Sequence, residues 1–203
     1  TIPTFPGEIY NYVVDWGDGS SDSGVTGSMT HTYPAAGTYT ISIYGDFPRI
    51  YFNKGGDRQK IVTINQWGEG IWTSMELAFA GCSNVDVVAQ DVPNLGNLNS
   101  LEAMFYYCSS LVGNETFNLW DTSRVNDMSS LFADAVIFNQ DLSNWDVSKV
   151  VEMDFMFTRA SSFNQDLSDW DVSNVTNMAS MFNAAIAFNQ NIGGWDVSNL
   201  CVA

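Results

Sequence analysis

Aspartate recurs in this chain at a fixed interval, in a pattern able to bind a cation or a cationic partner. The aspartate column consists of Asp121, Asp146, Asp171 and Asp196, which are equally spaced along the sequence. Carboxylates about 5 Å apart in neighbouring repeats repel one another by roughly 1 kcal/mol in water. Relief comes either from N–H groups of the local turn or from a bound cation or cationic partner. The second alternative predicts a partner-binding site that also includes Asn144 and Ser148.

Three further aspartates lie near the N-terminus, where Asp15, Asp18 and Asp22 fall within one predicted turn. Clustered carboxylates are ligands for calcium, although their spacing here differs from that of an EF-hand loop. Aspartate is also a frequent turn former, so a purely structural role is the alternative. We therefore expect no cofactor, with calcium at this turn as the exception to test.

Residues for other kinds of chemistry are scarce. His31 is the only histidine, so the chain holds no histidine metal cluster. The sequence contains neither a nucleophile elbow nor a phosphate-binding loop, and we expect a binding protein rather than an enzyme. Three cysteines do not make a disulfide framework. Cys82 and Cys108 occupy equivalent positions in adjacent repeats, as small buried residues or, alternatively, as a disulfide.

Charge excludes several classes of partner. The chain has 23 acidic and 7 basic side chains and a formal net charge of -16. Such a surface repels nucleic acid and anionic membranes. No apolar run approaches the roughly 18 residues of a membrane span, so we expect no direct membrane insertion.

Internal repeats organise most of the chain. Large apolar residues return at a constant step of about 25 residues, a length typical of repeat architectures. Four sets share this step: Trp120, Trp145, Trp170 and Trp195; Phe138, Phe163 and Phe188; Met128, Met153 and Met178; Phe132, Phe157 and Phe182. Earlier copies of the repeat follow at slightly longer steps. We assign residues 58–203 to about five repeats.

One repeat is interpreted as a strand followed by a short helix. Apolar residues at offsets 0, 3 and 5 within residues 142–147 match the strand signature of leucine-rich repeats. Apolar spacing of 3 to 4 residues within residues 150–160 is helical, with Ser148 as a suitable N-cap. Stacked units of this kind predict an α/β repeat solenoid with parallel strands and short helices.

This interpretation places most recurrent residues in the core. Trp145 and Val147 are two apart and share a strand face, which argues against an exposed tryptophan platform for carbohydrate. An asparagine column is expected to hydrogen-bond the backbone of neighbouring repeats and consists of Asn139, Asn164 and Asn189.

Residues 1–57 do not follow the repeat. Strand-like segments at residues 10–14 and 38–43 are separated by an Asp-Gly turn. We interpret this segment as a small all-β cap, like a shortened immunoglobulin sandwich, that covers the first repeat.

Residues 138–148 (FNQDLSNWDVS) and 175–182 (VTNMASMF) resemble the BspA-like leucine-rich-repeat surface proteins of bacteria. Residues 15–20 (DWGDGS), 31–33 and 36–39 are similar to the PKD-type segment that often precedes such repeats. The resemblance implies an extracellular, surface-exposed protein with a role in adhesion and no enzyme activity. It supplies no shared binding residues.

The expected partner is a protein or glycan on another cell or in a surface assembly. An alternative function is that of a structural subunit of a filament, virion or surface layer, joined through the solenoid ends. The last repeat stops within residues 199–203, and an uncovered final coil would favour a homo-oligomer through that end.

Overall fold

The N-terminal part of the chain forms a small antiparallel sheet. The computed structural model describes residues 1–201 and shows three strands here: β1 (Asn11–Asp15), β2 (Ser21–Val25) and β3 (Ser42–Asp46). β1 is central and pairs antiparallel with both neighbours. The described N-terminal residues thus contain one sheet, and not the two packed sheets of the expected sandwich.

Alternation along β1 explains why this sheet has a core of its own. Tyr12 and Val14 are buried, whereas Asn11, Val13 and Asp15 are exposed, because successive strand residues point to opposite faces. The buried face gathers a small apolar cluster of Ile2, Tyr10, Tyr12, Val14 and Trp16.

The repeats are built from turns. They contain one short parallel pair, β4 (Thr63–Ile64) and β5 (Asp86–Val87), and two 3-10 helices, Arg58–Lys60 and Glu115–Leu119. Residues 1–201 include no α-helix, and no helix among them is long and apolar enough to cross a membrane. The predicted α/β leucine-rich-repeat-like solenoid of parallel strands and short helices is therefore wrong.

Residues 150–160 show why the predicted helix does not form. Phe155 and Arg159 both have φ of 57°, in the left-handed region, which interrupts a right-handed helix. The N–H of Met156 donates to the carbonyl of Met153 (3.3 Å) and closes a tight turn. The N–H of Met153 instead donates to Asn177 in the next repeat (2.8 Å). Successive turns reproduce helical apolar spacing, but many of their N–H groups bond to a neighbouring repeat.

The predicted strand at residues 142–147 is also replaced by turns. The N–H of Trp145 donates to Leu142 (3.0 Å), and that of Val150 donates to Val147 (2.9 Å). Ser148 therefore caps no helix. Parallel contact between repeats occurs at isolated bridges that join Ser100, Asp127, Glu152 and Asn177 in series.

The expected core is confirmed. The tryptophan, phenylalanine and methionine columns are buried in the interior repeats. Within one column, the rings of neighbouring repeats stack on each other. Their centroids are 5.7 Å apart for Phe132 and Phe157 and 6.0 Å apart for Trp120 and Trp145. The indole N–H of Trp145 donates to the Phe117 carbonyl at 2.7 Å.

The asparagine column is confirmed as a ladder. The side-chain oxygen of Asn139 accepts from the N–H of Asn164, and that of Asn164 accepts from the N–H of Asn189, both at 2.8 Å. Gln165 and Gln190 add amide hydrogen bonds to the same residues. The backbone N–H groups of Asn164 and Asn189 thereby find hydrogen-bond partners in the preceding repeat.

The two ends of the repeat stack differ. At the first repeat, the N–H groups of Phe52 and Lys54 donate to Ala78 (3.0 Å) and Ala80 (2.8 Å). At the last described repeat, an open cavity of about 390 Å³ is lined by partly exposed Phe182 and Trp195. Assembly through this end stays a prediction.

Candidate functional site

The aspartate column has one repeated geometry. In its first three members, Oδ1 accepts from the N–H and the hydroxyl of the serine two residues later. For Asp146 these distances to Ser148 are 3.0 and 2.6 Å. Oδ1 of Asp196 accepts from the N–H of Ser198 at 3.0 Å. Local turns therefore provide the relief that was one of the two alternatives expected for aligned carboxylates.

The other oxygen of each carboxylate is unused by the protein. Oδ2 of these four residues accepts no hydrogen bond and forms no ion pair with residues 1–201. All four side chains are exposed. The buried tryptophan that precedes each of the first three anchors the backbone beside it, as Trp145 does for Asp146. The column therefore presents fixed carboxylates with one free oxygen each.

Hydrogen bonding also fixes the charge of the column. The hydroxyl of Ser148, and then its N–H, lower the pKa of Asp146 below its ordinary value because both stabilise the carboxylate. Hydrogen bonds from Ser123, Ser173 and Ser198 likewise lower the pKa of Asp121, Asp171 and Asp196, respectively. All four groups are thus ionised at neutral pH.

The chain itself shows that this turn does not require a charge. Oδ1 of Asn177 accepts from the N–H of Ala179, and Oδ1 of Asn191 accepts from that of Gly193, both at 3.1 Å. Asparagine thus forms the same kind of turn, at other positions of the repeat, without the negative charge. Charge in the aspartate column is an additional property of that surface.

Of the two flanking residues, the structure brings only Ser148 to the column. Its carbonyl also accepts from Asn174 at 2.7 Å. Asn144 is exposed, and its N–H donates to Oδ1 of Asn118 at 2.9 Å.

The three N-terminal aspartates are each engaged by the protein. Oδ1 of Asp15 accepts from Gly17 (2.8 Å), and Oδ2 of Asp22 accepts from the Trp16 indole (2.8 Å). Asp18 binds Ser20 through Oδ1 and lies 2.8 Å from His31 through Oδ2, and these contacts lower its pKa to about 2. Among residues 1–201, no group of three or more His, Cys, Asp or Glu side chains is arranged to hold a metal ion.

The cysteines form no disulfide. Cys82 and Cys108 are both free and buried. Burial raises the pKa of Cys82 to about 12 and raises that of Cys108 as well. They are small core residues, which was the first of the two interpretations, and their thiols are unreactive at neutral pH.

A family match covers the repeats. Residues 99–202, about half of the chain, match the family described as "Mycoplasma protein of unknown function, DUF285". The chain belongs to this family. No curated protein and no solved structure matches it.

Membership of DUF285 corrects the resemblance drawn from the sequence. The motifs at residues 138–148 and 175–182 belong to DUF285, and their turns lack the strand and helix of a leucine-rich repeat. The assignment to BspA-like leucine-rich-repeat surface proteins with a PKD-like segment is therefore wrong, and the adhesion role that it implied loses that support.

Sequence reasoning missed a second acidic group in this DUF285 protein, formed by Glu76, Glu102, Asp127, Glu152 and Asp154. The hydroxyl of Ser129 lies 2.6 Å from Oδ1 of Asp127 and 2.8 Å from Oδ1 of Asp154, although it has one proton to donate. Burial raises the pKa of Glu102, and Asp127, Glu76 and Asp154 raise it further. The available signal was that Asp127 and Glu152 occupy equivalent positions in adjacent repeats.

Proposed function

We propose that this protein is a binding module whose aspartate column recognises a partner protein rich in lysine and arginine. The observation that carries the proposal is that the two oxygens of each carboxylate have different environments. One oxygen holds the local turn, and the other is free, charged and exposed. A group that is already ordered loses little conformational entropy on binding. Charge-assisted hydrogen bonds to such carboxylates are stronger than neutral ones.

The net charge supports a cationic protein over the other partner class expected from the sequence, a glycan. With a formal charge of -16, the field of the molecule accelerates encounter with cationic surfaces and repels acidic saccharides. Each exposed ion pair contributes about 0.2–1 kcal/mol. Binding through four such pairs is therefore modest in affinity and sensitive to salt.

The test measures binding of an octalysine peptide by calorimetry at low ionic strength. The double variant Asp146→Asn/Asp171→Asn removes two charges from the column. We expect binding to be ~tenfold weaker, because the variant removes two of the four charged groups that the peptide would engage. The thermal midpoint should fall only slightly, because asparagine can still accept the N–H two residues on, as Asn177 and Asn191 do, and loses only the charge-assisted part of these hydrogen bonds.

The matched control is Asp15→Asn/Asp46→Asn, which changes the net charge equally within the N-terminal sheet. Oδ1 of Asp15 accepts from Gly17 in a similar turn, and Asp46 is exposed. Its affinity for octalysine should stay near the wild-type value. Equal losses in both double variants would show attraction to net charge alone and would overturn the proposal.

A further inference from the structure

Although the chain is strongly acidic, two basic residues occupy equivalent positions in adjacent repeats and are called the basic pair here. Arg124 and Lys149 are separated by one repeat length, and the next two repeats carry Asn174 and Asn199 at that position. The repeat therefore accepts either a cation or an amide at one place. What each side chain contacts distinguishes the two kinds of residue.

The asparagines are used by the fold. Nδ2 of Asn174 donates to the carbonyl of Ser148, and Nδ2 of Asn199 donates to that of Ser173, both at 2.7 Å. The side chains of Arg124 and Lys149 make no hydrogen bond and no ion pair within residues 1–201. The basic pair therefore joins the repeats through no direct hydrogen bond or ion pair.

Of the five other basic side chains, all but Arg58 find a partner within residues 1–201. Arg159 binds Asp134 at 2.7 Å, and Lys60 binds Asp57 at 2.7 Å. The ammonium of Lys54 lies 4.0 Å from the ring centroid of Tyr106. Carboxylates outnumber cations about three to one, so an unpaired basic pair is unusual here.

The basic pair lies in a shallow groove that is widely open to solvent. A cavity of about 390 Å³ is lined by Asn97, Leu98, Asn99, Arg124 and Lys149. Leu98 is buried, whereas the other four residues all reach solvent. The groove thus combines two positive charges and two amide groups above one apolar residue.

We propose that this groove binds a tetrahedral dianion, a sulfate or phosphate group. The guanidinium of Arg124 offers paired N–H donors that match such oxygens, and the ammonium of Lys149 supplies a second charge. Amide N–H groups of Asn97 and Asn99 supply neutral donors. Two cations match two negative charges, which favours a dianion over a carboxylate.

The negative charge of the rest of the protein distinguishes a specific anion site from non-specific attraction. Two acidic residues lie near the basic pair. The pKa of Asp121 is lowered first by Ser123 and also by Arg124 and Lys149, and that of Asp146 is lowered first by Ser148 and also by Lys149. A net charge of -16 opposes the non-specific association of anions with the molecule. Saturable anion binding therefore requires a local site. This inference does not rest on the proposed function of the aspartate column.

The experiment is a titration of the full chain with inorganic phosphate, sulfate or acetate at constant ionic strength, followed by amide chemical shifts. We expect phosphate and sulfate to give saturable shifts centred on residues 97–99, Arg124 and Lys149. Acetate should bind at least tenfold more weakly. The variant Arg124→Asn/Lys149→Asn should lose the saturable response and keep its thermal midpoint, because asparagine serves at residues 174 and 199.

The matched control, Lys54→Asn/Lys60→Asn, changes the net charge equally at other sites and should bind phosphate as the wild type does. Equal weakening in both variants, or linear shifts without saturation, would overturn the site. Acetate binding as tight as that of phosphate would overturn the assignment to a dianion.

Discussion

At the scale of single residues, carboxylates of this chain differ in what surrounds them. Hydrogen bonds from Ser148 lower the pKa of Asp146, so this group stabilises the fold above its unfolded pKa. That contribution disappears as the pH falls through the folded pKa. Burial and neighbouring acids raise the pKa of Glu102. Ionised Glu102 therefore destabilises the fold at neutral pH, and this effect vanishes as the pH falls below its ordinary value of 4.5.

Replacing Glu102 by glutamine should consequently raise the thermal midpoint at pH 7. The gain should shrink as the pH falls and be absent below about pH 4, where glutamate is protonated in folded and unfolded chains. Thermal unfolding followed by circular dichroism between about pH 3 and 8 measures this gain. Glu69→Gln is the control, because Glu69 is exposed, as Glu102 is, but lies outside the second acidic group. A gain of equal size at every pH would contradict this account of Glu102.

At the scale of elements, the repeat is a series of tight turns whose third residue has positive φ. One column of such residues consists of Leu77, Ala103, Ser130, Phe155 and Ser180, and none of them is glycine. Left-handed conformation costs an L-residue roughly 1–2 kcal/mol. Cross-repeat hydrogen bonds hold these residues there, as when the N–H of Ser130 donates to Asp154 at 2.9 Å.

Ser130→Gly should therefore stabilise the protein by about 0.5–1 kcal/mol, since relief of left-handed strain exceeds the added entropy of the unfolded chain. The neighbouring variant Ser129→Gly should destabilise it instead, because Ser129 lies outside the positive-φ set and its hydroxyl binds Asp127. Urea unfolding of both variants measures the change in the free energy of unfolding. Destabilisation by Ser130→Gly would mean that the left-handed turn is not strained.

The same turns explain how far the sequence predicts the structure. Periodicity identifies the repeats, the buried columns and the ladder from Asn139 to Asn189, because these depend on residue type and register alone. It misassigns residues 142–147 and 150–160, because tight turns share the apolar spacing of strand and helix signatures. In residues 150–160 these turns also place Phe155 and Arg159 at positive φ. The aspartate column is predictable from spacing. The free oxygen of Asp146 and the unpaired Arg124 are not, because hydrogen-bond partners are a property of the folded chain.

At the scale of the whole molecule, negative charge is divided between two acidic surfaces. The aspartate column is held by local turns, with each carboxylate bound to its own serine. In the second acidic group, the carboxylates lie close to one another. The pKa of Glu102 is raised there by burial and then by Asp127, Glu76 and Asp154. A cationic partner attracted by net charge alone would prefer neither surface. We therefore assign binding to the aspartate column, whose carboxylates have ordered, exposed and free oxygens.

Mapping octalysine binding by amide chemical shifts tests this claim most directly. We predict the largest shifts at the N–H groups of Ser123, Ser148 and Ser173, because these groups donate to the carboxylates that take up the cations. The shifts should saturate at low ionic strength and weaken as salt screens the interaction. Largest shifts at Glu102, Asp127 and Asp154, or small shifts over the whole surface, would contradict the account.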